Sequence, residues 1–192
     1  MKTVTQLILI VISIVLAYFI YSGIQNKITF KKEAKERRVI VQNRLLKIAD
    51  AQKEFKAQKG KYAANFNELF HFIENDSLII IKAIGTVPDT LTEVEAVEQG
   101  IIIRDTTLIP AKSIFADGYN FYELENVPFS KGAKFKMDAG MIEKNRVRVS
   151  VFEAYTTLEE VYAGLSVEGE GVELEDRIQV GSMTEPITSG NW

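Results

Sequence analysis

The hydrophobic pattern changes character three times along this chain. It opens with "LILIVISIVLAYFI", Leu7 to Ile20, fourteen residues without a charge. With Val4 to Gln6 before it and Tyr21 to Ile24 after it, the run reaches the ~20 residues needed to cross hydrocarbon. Leu7, Ile10 and Ile14 are the expected anchor residues, and Tyr18 and Tyr21 fall near one end, where amphipathic rings suit a headgroup layer. A cleaved signal peptide is the competing reading, because Lys2 supplies a short basic start. No small-x-small pair suited to cleavage follows the run, so a retained anchor is expected.

From Phe30 to Lys59 there is neither Pro nor Gly, and good helix formers dominate. Val41, Leu45, Ile48, Gln52 and Phe55 are spaced 4, 3, 4 and 3 apart and share one face, with Ala34 and Ala51 on or beside it. A continuous helix through anchor and stripe would run some 50 residues, or roughly 75 Å. Its lower half has few large apolar residues and is expected to be exposed; packing is expected from Leu45 upward. Gly60 ends the helix, with Lys56, Lys59 and Lys61 at the negative end of the dipole. Asn65 and Glu68 then form an expected capping box for a second helix whose face is Phe66, Leu69, Phe70 and Ile73. The result is a corner built on Phe55, Gly60, Tyr62, Leu69 and Phe70, with Phe55, Leu69 and Phe70 in mutual contact.

Beyond the corner the period shortens. "SLIIIKAIG", Ser77 to Gly85, predicts a buried strand. "VPDTLTEVEAVEQG" predicts a two-turn helix capped by Thr92 and Glu95 and closed by Gly100. "IIIRDTTLIP" and "YNFYELENVPF" predict strands. Residues 134–153 predict a meander with turns at "DAG" and "EKN", Val147, Val149 and Val151 pointing one way, and Arg146, Arg148 and Ser150 the other, solvated way. "TTLEEVYAGL" reads as a short capped helix or turn, "RIQVGS" as a last strand and "TEPITSGNW" as irregular. The expected fold class is α+β: a transmembrane helix continuing into a long helix packed on a small, mainly antiparallel sheet with short helices. The segments are 1–24 anchor, 25–44 charged juxtamembrane helix, 45–185 domain and 186–192 tail.

Composition narrows the function classes. The chain has 192 residues, 46% hydrophobic and 26% charged, which suits one folded domain plus an anchor. A net charge of −3 gives no reason to expect nucleic acid as a partner. The absence of cysteine excludes disulfides, thiolate metal sites and thiol nucleophiles. The single His71 has no partner at metal-site spacing and reads as packed or half-exposed. Glu168, Glu170, Glu173, Glu175 and Asp176 lack the ligand order of a calcium loop and read as a solvated, glycine-kinked turn. No catalytic, cofactor-binding or metal-ligating set emerges, so a non-enzymatic protein without cofactor is expected.

Charge also bears on orientation. Lys27, Lys31, Lys32, Lys35, Arg37, Arg38 and Arg44 follow the anchor, which by the positive-inside rule favours a cytoplasmic domain and contact with anionic lipid. Glu33 and Glu36 are interleaved with them, so i,i+4 pairs on a solvated face are expected. The short tail before the anchor favours export instead. The arrangement of an apolar N-terminal segment running into a helix that ends "AQKEFKAQKGKYAANFNELFHFI", residues 51–73, resembles type IV pilin-like proteins and pseudopilins. The resemblance covers about residues 4–73. "MKTVTQLILIV" lacks the Gly-Phe processing site and the fifth-position Glu of those families. What the resemblance implies is a single-pass protein of a bacterial inner membrane with its domain in the periplasm. It further implies protein partners in the envelope and homo- or hetero-oligomers. Single-pass assembly proteins of the same machines compare equally well.

Overall fold

The structure is a computed structural model and describes residues 2–84 and 103–192, together with Thr92, Glu95, Gln99 and Ile101. It is α+β. Helix α1, Lys2–Lys59, is one uninterrupted helix of 58 residues, ~87 Å long at ~1.5 Å per residue. No proline interrupts it. It stops at Gly60, whose φ of 76° is the left-handed conformation that only glycine adopts without cost. The Gly60 N–H closes the last turn on the Lys56 carbonyl at 2.8 Å.

The chain then reverses within five residues into α2, Phe66–Asn75. Gln52, fully buried on the α1 stripe, fastens the reversal. Its amide donates to the Ala63 carbonyl and accepts from the Ala63 N–H, both at 2.9 Å. Asn65 caps α2 by accepting from the Glu68 N–H at 2.9 Å. The reciprocal bond differs from a capping box: the Glu68 carboxylate reaches one residue further, to the Ala64 N–H at 2.9 Å. The corner contact also differs from expectation. Phe55 meets Phe72 edge-on, 5.1 Å between ring centres. Phe70 turns instead towards Phe121 and Tyr122, while Leu69 is fully buried between the helices and the rest of the core.

Strand β1, Ser77–Ile84, pairs antiparallel with β2, Ile103–Pro110, as a two-stranded ribbon. β1 is not the buried strand expected: Leu78 is covered, but Ile79 and Ile80 are about half exposed, and among the described residues the ribbon has no further strand beside it. Between the two strands, Thr92 and Glu95 exchange the expected cap bonds, the Thr92 N–H donating to the Glu95 carboxylate at 2.8 Å. Those bonds hold the Glu95 carboxyl below its ordinary pKa. Pro88 and Gly100 of that segment lie outside the described residues. "YNFYELENVPF" is not a strand. Asn120 caps a 3-10 helix, Phe121–Glu125, which turns Leu124 fully into the core.

The second sheet has the order β3-β4-β5, with β3 Lys136–Lys144, β4 Val147–Thr157 and β5 Arg177–Gly181, all antiparallel. Only one of the two turns expected in residues 134–153 exists. β3 runs straight through "DAG", and the hairpin turns at Asn145 and Arg146, both with positive φ. On β4, Ser150, Phe152, Ala154 and Thr156 are buried on the face where a solvated side was expected, and Val151 on the other face is buried as well, at 1% exposure. Val147, at the hairpin tip, is exposed, and Val149 is partly buried. α1 lies against this sheet through Val41, Leu45 and Ile48, all fully buried with Phe152, Ala154, Ile178 and Val180. Contact begins lower than expected, at Phe30 and Ala34, because Phe30 packs edge-on against Tyr162. The tail is ordered along β5: Gly181 donates to Ser189 and Asn191 to Gln179, with Val180 and Gly190 paired.

Candidate functional site

Two surfaces and one seam organise the molecule along α1. In the first 24 residues, Leu7, Ile10, Ile14, Tyr18 and Tyr21 are all more than half exposed, and among the described residues nothing buries this stretch. This stretch makes α1 long and apolar enough to cross a membrane.

The basic residues that follow divide by type. Arg37 donates to the Val161 and Ala163 carbonyls at 3.2 and 2.9 Å and lies over the Phe129 ring. Arg38 donates to the Tyr162 hydroxyl. Arg44 donates to the Glu123 and Asn126 carbonyls at 2.9 and 3.1 Å, so it closes the end of the 3-10 helix. A guanidinium suits this work because its planar fork serves two carbonyls at once. These arginines are therefore fasteners between helix and domain rather than a solvated face. Lys27, Lys31, Lys32 and Lys35 are exposed. Among the described residues no ion pair joins them to Glu33 or Glu36, so the expected i,i+4 pairs are not formed.

The seam itself is packed, with its buried polar side chains engaged. Gln52, Ser150 and Thr156 are its buried polar side chains. Ser150 accepts from the Tyr62 N–H at 3.2 Å, Tyr62 packs on Phe152, and Thr156 donates to the Glu160 carboxylate. No buried side-chain polar atom among the described residues lacks a partner.

Where α1 leaves the apolar stretch, a cleft of about 510 Å3 separates it from the loop at 164–170. Gly23, Lys27, Phe30 and Glu33 form one wall; Glu168 and Glu170 belong to the other. Gly169 and Gly171 give the loop its kinks, with φ of 76° and 64°. Among the described residues no three His, Asp or Glu side chains converge as a metal site. His71 is exposed beside a shallow groove with Lys59, Lys61, Glu68 and Asp76.

At the opposite end, the Lys59–Asp76 ion pair, 3.0 Å, ties the start of β1 to the last turn of α1. The ribbon therefore projects from the end farthest from the apolar stretch, with Ile79 and Leu108 cross-paired and exposed on one face. Next to it, the Tyr122 hydroxyl donates to Glu74 at 3.0 Å, and that bond raises the phenol pKa above its ordinary value. No known protein family, curated protein or solved structure matches the chain.

The spacing of the stripe anticipated Gln52's burial but not its partner. The docking roles of Arg37, Arg38 and Arg44 left no signal, since Arg37 and Arg44 bond backbone carbonyls, and Arg38 a tyrosine hydroxyl, 79 to 126 residues away. Phe72 was missed because it lies one position off the Leu69–Ile73 face, on the side that meets Phe55.

Proposed function

We propose that this is a non-enzymatic, single-pass membrane protein that presents an exported interaction domain, of pilin-like or assembly-machine type. One observation carries the reading: a single helix leaves an apolar, uncovered segment at one end and is fastened to the domain from Phe30 to Phe55. Such a part fixes the distance and orientation of a domain over a bilayer, which serves positioning rather than turnover. The exposed ribbon at the far end, with Ile79, Ile80 and Leu108, supplies apolar surface and free strand edges to a protein partner in the envelope. The pilin-like corner favours the periplasmic side of a bacterial inner membrane.

A second reading keeps the domain in the cytoplasm as a membrane scaffold. It is favoured by Lys27, Lys31, Lys32 and Lys35, which remain exposed, with no ion pair among the described residues, after the arginines are engaged. Fusions to the C-terminus separate the two. Alkaline phosphatase joined after Trp192 should be active and green fluorescent protein at the same place dark. The reverse pattern overturns export and selects the scaffold.

A further inference from the structure

The cleft between α1 and the 164–170 loop lies at a defined height above the apolar segment. Ile24 ends that segment, and Lys27 is three residues further along, about 4.5 Å at ~1.5 Å per residue. Glu33 is nine residues along, about 13.5 Å by the same rise. A headgroup layer is roughly 5 to 8 Å thick on each side of the hydrocarbon. The lower part of the cleft therefore falls at headgroup phosphates, and its upper part just above them, provided α1 spans as proposed.

Its charges are ordered in the same sense. The single lysine, Lys27, stands at the lower end, Glu33 at the upper end of the same wall, and Glu168 and Glu170 on the wall facing them. One cation with three carboxylates disfavours a purely anionic headgroup and complements one that carries both a phosphate and an ammonium. Carboxylates accept hydrogen bonds and a primary ammonium donates three, whereas a trimethylated one donates none. A cleft of about 510 Å3 has room for such a group. Phe30, at 9% exposure and packed on Tyr162, lines the cleft on the domain side.

We infer that this cleft binds the phosphoethanolamine headgroup of a membrane lipid, with Lys27 on the phosphate and Glu33, Glu168 and Glu170 on the primary ammonium. The inference rests on the anchoring reading. The domain is thereby seated on the membrane at one rotation about α1, which the helix alone does not set.

The test uses the full chain in lipid nanodiscs that hold phosphatidylethanolamine, phosphatidylcholine and phosphatidylglycerol in equal amounts with identical acyl chains. Native mass spectrometry of the released protein counts the lipids retained. Wild type should keep phosphatidylethanolamine over phosphatidylcholine about tenfold, the effect of one charge-assisted hydrogen bond. The Glu168→Gln/Glu170→Gln double variant should bring the two to parity, and Glu173→Gln, which lies on the same loop outside the cleft, should not. Equal retention by wild type, an unchanged preference in the double variant, or a preference for phosphatidylglycerol overturns the inference and leaves the anchor standing. A chain that never enters the discs overturns the anchoring reading and this inference with it.

Discussion

Along α1 the stretch Leu7–Ile24 and the stretch Phe30–Phe55 share one helical geometry but dispose their side chains in opposite ways. In the first, apolar residues occupy every side of the helix, and Ile14 is 64% exposed. In the second they return every three or four residues, and Ile48 is fully buried. A stripe can be covered by one sheet; a cylinder cannot. The lower stretch therefore requires an apolar surrounding from outside the chain, whereas the upper stretch builds its own from β4, β5 and α2. In the ribbon β1–β2 cover is lost along the strand instead, with Leu78 buried and Ile79 and Ile80 about half exposed.

The comparison can be broken most forcefully at the corner. Phe72→Ala removes a ring that is 1% exposed and packed on Phe55, and should cost about 3 to 5 kcal/mol. Ile14→Ala in the same full-length protein should leave the melting of the domain where it was. Equal losses from both would mean that the two stretches are not energetically separate. Gln52→Leu comes next. It keeps the volume but leaves the Ala63 N–H and carbonyl without partners, so a loss of about 2 to 3 kcal/mol is expected. A neutral result in denaturant titration would show that the reversal after α1 does not need this clasp. Gly60→Val places a branched side chain at a φ of 76° and should cost about 2 kcal/mol. Smallest is Ile79→Ser on the exposed face of the ribbon, expected within ~0.5 kcal/mol of wild type. A larger loss would mean that the ribbon is covered within the monomer.

What could be read in advance followed from periodicity and local chemistry. The stripe, the stop at Gly60, the Asn65 cap and the strands β1, β2 and β5 each depend on neighbours within a few residues. The misreadings have a common cause. Val147, Val149 and Val151 alternate well, but exposure along β4 changes with distance from the hairpin tip as much as with face, from Val147 at 60% to Val151 at 1%. The face against α1 therefore had to be judged from Phe152 and Ala154. "YNFYELENVPF" alternates as well, but Asn120 bonds the Tyr122 N–H and diverts the chain into a 3-10 turn. The arginines were read as a charged surface because a sequence does not show which carbonyls end up unpaired at a distant helix end. Arg37 and Arg44 find theirs in the segments at 161–163 and 123–126.

The central claim is that one unbroken helix carries the domain at a fixed height over the bilayer. Because the chain contains no cysteine, spin labels can be placed at Tyr21→Cys and Leu46→Cys without further changes. Pulsed dipolar spectroscopy of the full chain in nanodiscs should give one narrow distance near 38 Å, the span of 25 residues at ~1.5 Å each. A broad or markedly shorter distribution would mean a hinge between anchor and domain, and would contradict the account.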